Sequence, residues 1–316
     1  MTLRMDPEVA QALAPLAEAA AGLTPPPAGD WQTRRASTDA LISQFTGAVA
    51  PPPDVTVTEY QATAPDGTPI PMRLYRRNGS SPGSLAVYLH GGGMFLCSIE
   101  THDPICRAYP AASGVPLLSV DYRFAPEHPY PSAVEDSYAA LRWAAAHAGE
   151  LGVDPARIAV MGDSAGGGMA AALALMARDR GGPALAAQIL VYPMLDDRTT
   201  RPDPQIAPFA MWTTDDNITG WGCLLGDAAG GPDVPSYAAP ARATDLTGLP
   251  PAYLEVGQLD IFRTEDLAYA ERLSQAGVPV ELHLHPGVPH AFDVFAPDSA
   301  VTRRAQADRA RVLAAL

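Results

Sequence analysis

A regular alternation limits what this chain can become more than any other feature. From residue 85 onward, short apolar runs trade places with stretches of helical periodicity. The runs are LAVYLH (85–90), PLLSVDY (116–122), RIAVMG (157–162), AQILVYP (187–193), AYLEVG (252–257) and VELHLHP (280–286). The helical stretches include PSAVEDSYAALRWAAAH, AGGGMAAALALMARD, TEDLAYAERLSQAG and VTRRAQADRARVLAAL, with Thr264 expected as an N-cap and Gly277 as a C-terminal stop. Apolar strands joined by helices call for a mostly parallel sheet covered on both faces. Right-handed crossovers then bring the strand C-termini, and any site, to one edge. Upstream, VTVTEYQA and IPMRLYR alternate apolar with polar residues around the turn PDGTP, the pattern of an antiparallel hairpin.

Two regions stand outside the alternation. Residues 1–50 carry a helical stretch near 39–50, bracketed by the proline clusters 25–27 and 51–53. Residues 196–248 separate two expected strands and are too long for a plain connection, so they read as an insertion with a helix near 215–225. Residues 1–50 and 196–225 are expected to form a cap over the sheet edge, leaving 51–316 as the catalytic domain.

Composition closes off several functions. With 21 basic against 35 acidic residues, the formal charge is -14, which repels phosphate backbones and anionic membrane surfaces. None of the basic residues is lysine, so Schiff-base chemistry, Ser-Lys dyads and Walker-type phosphate loops lack their amine. The three cysteines, Cys97, Cys106 and Cys223, are far apart and read as reduced thiols. An acidic, Ala/Leu-rich N-terminus matches no secretion or transit signal, and no run is long enough to span a bilayer, so the expected location is the cytoplasm.

The sharpest local motif is Gly162-Asp163-Ser164-Ala165-Gly166-Gly167, placed between an apolar strand and an Ala-rich helix. This is G-x-S-x-G in the strand–turn–helix context that exposes a nucleophile. The competing reading is a glycine-rich helix start with a capping serine. A second motif, His90-Gly91-Gly92-Gly93, ends the strand LAVYLH, where bare glycine backbone can offer N–H donors to an oxyanion, together with the N–H of Ala165. The order Ser, then Asp or Glu, then His leaves His283, His285 and His290 as candidate bases. His283 and His285 share one strand face; without a visible cluster of further ligands, packing is favoured over a metal. His290 follows that strand in a loop and is the candidate base. Asp260 is the candidate acid: Glu255 lies inside its strand, and Glu265 and Asp266 suit a first helical turn facing the dipole.

Taken together, HGGGMFLCSIETHD (90–103), DYRFAPEHPYPSAVED (121–136), GDSAGGG (162–168), YPMLDD (192–197), GQLDIFRTED (257–266) and PGVPHAFD (286–293) resemble the bacterial carboxylesterases similar to hormone-sensitive lipase. The resemblance implies an α/β-hydrolase fold with an eight-stranded, mostly parallel sheet, helices on both faces and a helical cap. It implies Ser164 as nucleophile, His290 as base, Asp260 as acid, and N–H groups of Gly92, Gly93 and Ala165 as the oxyanion hole. It further implies hydrolysis of short- to medium-chain esters with no cofactor or metal, in a monomer or a homodimer pairing near VELHLHP. Arg123, Glu127 and Asp136 are expected in one structural charge network. Phe95, Met211, Trp212, Trp221, Leu224 and Leu225 are candidate substrate contacts, with packing inside the cap as the competing reading. Two positions depart from the family pattern: Thr264 replaces a frequent second acid, and Ala291 replaces a frequent glycine after the base. Lactone hydrolysis or acyl transfer would use the same residues. A non-catalytic receptor, as in the plant gibberellin receptors that resemble this family, is disfavoured by the presence of all three triad residues.

Overall fold

The computed structural model describes residues 3–47 and 50–316. The hairpin forms as β1 (Val55–Thr63) and β2 (Pro69–Arg77), antiparallel, with Val57 opposite Tyr75. The apolar runs become β3 (Leu85–Leu89), β4 (Leu117–Val120), β5 (Ile158–Asp163), β6 (Gln188–Val191), β7 (Ala252–Gly257) and β8 (Val280–His285). They join one eight-stranded sheet in the order β1-β2-β4-β3-β5-β6-β7-β8. β2 meets β1 and β4 antiparallel, and every later pairing is parallel. The strands β3 to β7 are buried almost throughout, which is why they read as unbroken apolar runs rather than as alternations. β8 closes one edge, with Leu282 and Leu284 exposed.

Helices α3 (Asp103–Ser113), α4 (Ser132–Ala146), α5 (Ala165–Asp179), α7 (Arg263–Gln275) and α9 (Ala300–Ala314) connect or flank the strands. The central helix is α5, whose small Ala and Gly residues let it lie against the middle strands with nearly every residue buried. Near the termini and the insertion stand α1 (Pro7–Ala20), α2 (Trp31–Gly47), α6 (Thr214–Leu225) and the one-turn α8 (Phe292–Phe295). α2 begins well before the stretch expected at 39–50; residues 48 and 49 of that stretch lie outside the described residues. α6 falls where the insertion was expected to be helical, opened by a capping box in which the Thr213 hydroxyl accepts from the Asp216 N–H. α1 and α3 had no counterpart in the sequence reading; α3 carries prolines at both ends of a short segment, which blur its helical pattern.

Thr264 does not cap α7. The Phe262 N–H donates to Asp260 Oδ1 at 2.9 Å, which turns the chain early, and the helix begins at Arg263 with Phe262 in the cap position. Glu265 and Asp266 lie in the first turn of α7 as expected, and both are buried there. No helix among the described residues is long and apolar enough to cross a membrane.

Candidate active site

Ser164 stands between β5 and α5 with φ +54° and ψ -121°, a conformation that a residue with a side chain adopts only at a cost of about 1–3 kcal/mol. The turn is held from three sides. The Ser164 N–H donates to the Val191 carbonyl at 2.9 Å, while its own carbonyl accepts from Gly168 N at 3.0 Å and Met194 N at 2.9 Å. Strain at this position lifts the side chain clear of the sheet edge and directly over the N-terminus of α5, where unpaired N–H groups favour negative charge.

His290, in the loop between β8 and α8, faces the serine. Its Nε2 lies 2.9 Å from Ser164 Oγ, and its Nδ1 lies 2.6 Å from Asp260 Oδ2. Asp260 is fully buried just past β7. Because a carboxylate there can only accept, Nδ1 carries the proton and Nε2 is left to accept from the hydroxyl. The ring is wedged edge-on by Tyr192 and Phe262, at centroid distances of 4.8 and 5.1 Å. Three residues separated by 30 and 126 positions along the chain are thus joined in one hydrogen-bond chain.

Beside it runs the glycine loop. Gly92 and Gly93 have φ of +120° and +57°, and a Cβ at Gly92 would sit 2.0 Å from the Leu96 carbonyl oxygen. Asp163 anchors the loop's start: its Oδ1 accepts from Gly91 N at 3.1 Å and from the Tyr88 hydroxyl at 2.5 Å. Burial alone would raise this carboxyl, but His102 and Tyr88 hold it down to about 2, so it stays an acceptor. His90, the first residue of the motif, is buried between Tyr122 and His102, and burial drives its imidazole down to about 3. It is neutral, and its Nδ1 meets the Gly91 carbonyl at 2.7 Å.

The serine and histidine open onto a cavity of about 100 Å³. Of the six residues expected at the substrate, Met211 and Trp212 line it. The other four lie off it. The Phe95 side chain is buried against Trp212, Trp221 is core, and Leu224 and Leu225 border a separate pocket between residues 126–130 and 222–235. Wall residues that escaped the sequence reading include Thr38 and Ile42 of α2, Cys97, His102, Tyr192 and Phe295. Cys97, His102 and Tyr192 carried a local signal, from their places inside HGGGMFLCSIETHD and YPMLDD. Ala291 also lines the cavity, in the left-handed region at φ +54°, which accounts for the frequent glycine there in the family.

The charge pairs are regrouped relative to expectation. Arg123 holds Asp136, with its Nη2 2.6 Å from Oδ1, and reaches Asp66 at 2.7 Å. Glu127 lies outside that network and pairs with Arg35 of α2 at 2.6 Å. His283 acquires carboxylate neighbours the sequence did not reveal, Glu281 at 2.7 Å and Asp308 of α9 at 3.7 Å. Arg311 already pairs with both acids, so a cation of the protein's own occupies their charge. Behind His290, the buried Arg309 joins Glu255 of β7 to Asp293 of α8, and Asp293 accepts from the Tyr192 hydroxyl at 2.8 Å.

At the start of α7, Glu265 accepts from Leu195 N at 2.7 Å, Asp196 N at 3.1 Å and the Thr199 hydroxyl. Burial nevertheless lifts its carboxyl to about 8. Asp266 has no hydrogen-bond partner on either oxygen among the described residues. Burial, with Glu265 and Asp260 close by, pushes its carboxyl well above the usual range. A raised folded pKa means stability that is complete below the unfolded value of about 3.9 and declines as pH rises, by about 1.4 kcal/mol per pH unit. Asp266→Asn is therefore expected to gain stability over the parent between pH 5 and pH 8, read by urea denaturation at both pH values. An equal difference at the two would show that Asp266 is ionised in the folded protein.

An eight-stranded sheet with a strained serine at the end of β5, backed by a histidine and a buried aspartate on the loops after β8 and β7, defines an α/β hydrolase. The sequence profile of the alpha/beta hydrolase fold family matches residues 86–294, and the chain belongs to that family, among the bacterial esterases similar to hormone-sensitive lipase. It is similar to the carboxylesterase NlhH of Mycobacterium tuberculosis, 42% identical over 240 residues that span 72% of this chain and 73% of the relative. Among solved structures it resembles a bacterial heroin esterase, with a TM-score of 0.90 and 39% identity over 98% of this chain and 97% of that one. It also resembles a hyperthermophilic esterase from Pyrobaculum calidifontis, with a TM-score of 0.85 and 34% identity over 99% of each chain.

Proposed function

We propose that this carboxylic ester hydrolase cleaves short- to medium-chain esters through an acyl-enzyme on Ser164. The observation that carries the reading is the chain Ser164–His290–Asp260 opening onto a largely apolar cavity. Ser164 Oγ attacks the ester carbonyl as His290 Nε2 takes its proton, and Asp260 holds the imidazole in the productive tautomer. Negative charge gathers on the former carbonyl oxygen, where the N–H groups of Gly92, Gly93 and Ala165 receive it. His290 then protonates the leaving alcohol, and a water activated by the same ring releases the acid. Residues 1–50 and 196–225 act as the cap of a catalytic domain spanning 51–316; the buried ion pair between Arg34 of α2 and Asp216 of α6 supports that pairing.

The cavity is lined largely by apolar side chains, among them Ile42, Met211, Trp212 and Phe295. Such a lining suits an acyl chain of short to medium length. A fluorophosphonate probe is expected to add once, at Ser164, as read by intact mass and peptide mapping. With p-nitrophenyl esters from two to twelve carbons, kcat/KM is expected to peak at or below eight carbons and to fall by twelve. An unlabelled folded protein, or an adduct on another serine, would overturn the assignment.

A further inference from the structure

The glycine loop is held only in part by its own neighbourhood. Over six residues it places Gly92, Gly93, Met94 and Cys97 at positive φ, the last two at +66° despite their side chains. Such conformations persist only where the surroundings over-determine them. Within the loop, Phe95 N and Leu96 N both donate to the Gly92 carbonyl at 3.0 Å, and the Met94 carbonyl accepts from Ala125 N at 2.9 Å. The Phe95 carbonyl and the Cys97 N–H are taken by α2, about sixty residues away in sequence.

Two α2 side chains one turn apart make this grip. Arg35 Nε donates to the Phe95 carbonyl at 2.5 Å, and Asp39 Oδ1 accepts from Cys97 N at 2.7 Å. Spaced four apart, they lie on one helix face. The Arg35 guanidinium is itself fixed by the Ala125 carbonyl at 2.9 Å and by both Glu127 oxygens at 2.6 and 2.8 Å. Thr38 and Ile42 of the same helix wall the cavity that Ser164 faces.

We infer that Arg35 and Asp39 are positioning residues for the oxyanion hole: by holding Phe95 and Cys97, α2 sets the direction of the Gly92 and Gly93 N–H groups. Docking of the N-terminal helix and assembly of the hole are then one event, and the helix is a brace as well as a wall. The inference rests on the serine-esterase reading above. A displaced donor acts where charge develops in the transition state, so its loss falls on kcat and leaves ground-state binding alone.

The test uses the full chain with p-nitrophenyl acetate and a trifluoromethyl ketone, whose serine adduct places an oxyanion in the hole. Asp39→Ala is expected to lower kcat by about 10- to 100-fold with KM within about twofold, and to weaken the ketone in step. Asp39→Asn keeps an oxygen acceptor for the Cys97 N–H and is expected to restore kcat to within about threefold of the parent. Arg35→Met reads the same loop from its other end, and the same loss is expected even if Asp39→Ala does not fold. Unchanged kcat in either folded variant, a rise in KM alone, or an Asp39→Asn variant as impaired as the alanine would overturn the brace. A parent protein that neither turns over esters nor takes the fluorophosphonate would instead overturn the esterase reading, and the brace with it.

Discussion

Ser164→Ala is expected to remove ester turnover almost entirely, by about 10⁶ in kcat, while leaving the melting temperature at or above that of the parent. The hydroxyl is the group aligned with His290, and the turn that carries it is held by backbone bonds from Val191, Gly168 and Met194 that an alanine retains. Asp260→Asn is expected to cost less, about 10⁴, because the amide can still fill the site but presents the wrong partner to His290 Nδ1. Initial rates with p-nitrophenyl acetate beside thermal melts separate these effects from unfolding. A Ser164→Ala protein within tenfold of the parent would move the nucleophile elsewhere.

Gly166→Ala is expected to be among the most damaging single methyl groups that could be added to the described residues. A Cβ there would sit 2.0 Å from the Leu89 carbonyl oxygen and 2.5 Å from that of His90. Both are backbone at the end of β3, a central strand paired on each side, so neither can withdraw without moving the sheet. The expected cost is about 4 kcal/mol or more, seen as a shift of the urea midpoint or as insoluble protein. Gly222→Ala is the control: it lies in α6 with nothing within 4 Å of the added carbon, and a small gain from helix propensity is expected. A folded Gly166→Ala protein of parental stability would mean that the strand–turn–helix junction is looser than the packing implies.

The contrast between Gly166 and Asp39 marks where sequence reasoning reached and where it stopped. Gly166 was legible because its motif is local: the G-x-S-x-G spacing marks a strand reversing into a helix around Ser164, although the atoms a Cβ would strike, the Leu89 and His90 carbonyl oxygens, come from the end of β3. The order of strands and helices was legible for the same reason. Burial on both sheet faces writes itself into continuous apolar runs, and the one-sided hairpin writes itself into alternation. Even the nomination of Asp260 and His290 rested on local facts, namely short loops placed just past the C-terminal ends of β7 and β8.

What the tertiary structure decided are pairings between residues that no local pattern connects. Nothing around Glu127 says that its partner is Arg35 of α2 rather than nearby Arg123. The spacing of Val301, Ala305 and Leu313 puts Arg309 on the buried face of α9, but nothing in the sequence says that its partners there are Glu255 of β7 and Asp293 of α8. Glu265 and Asp266 occupy helix-start positions where acids are ordinarily solvated, yet the segment around Leu195 and the body of the protein close over them. Thr38, Ile42 and Cys97 wall the cavity only because α2 lies across the glycine loop. The physical reason is one of range. Hydrophobic periodicity and backbone sterics act over a turn or a strand and are written in neighbouring residues, whereas a side chain's partner, burial and charge environment are set by segments that meet only after the chain has folded.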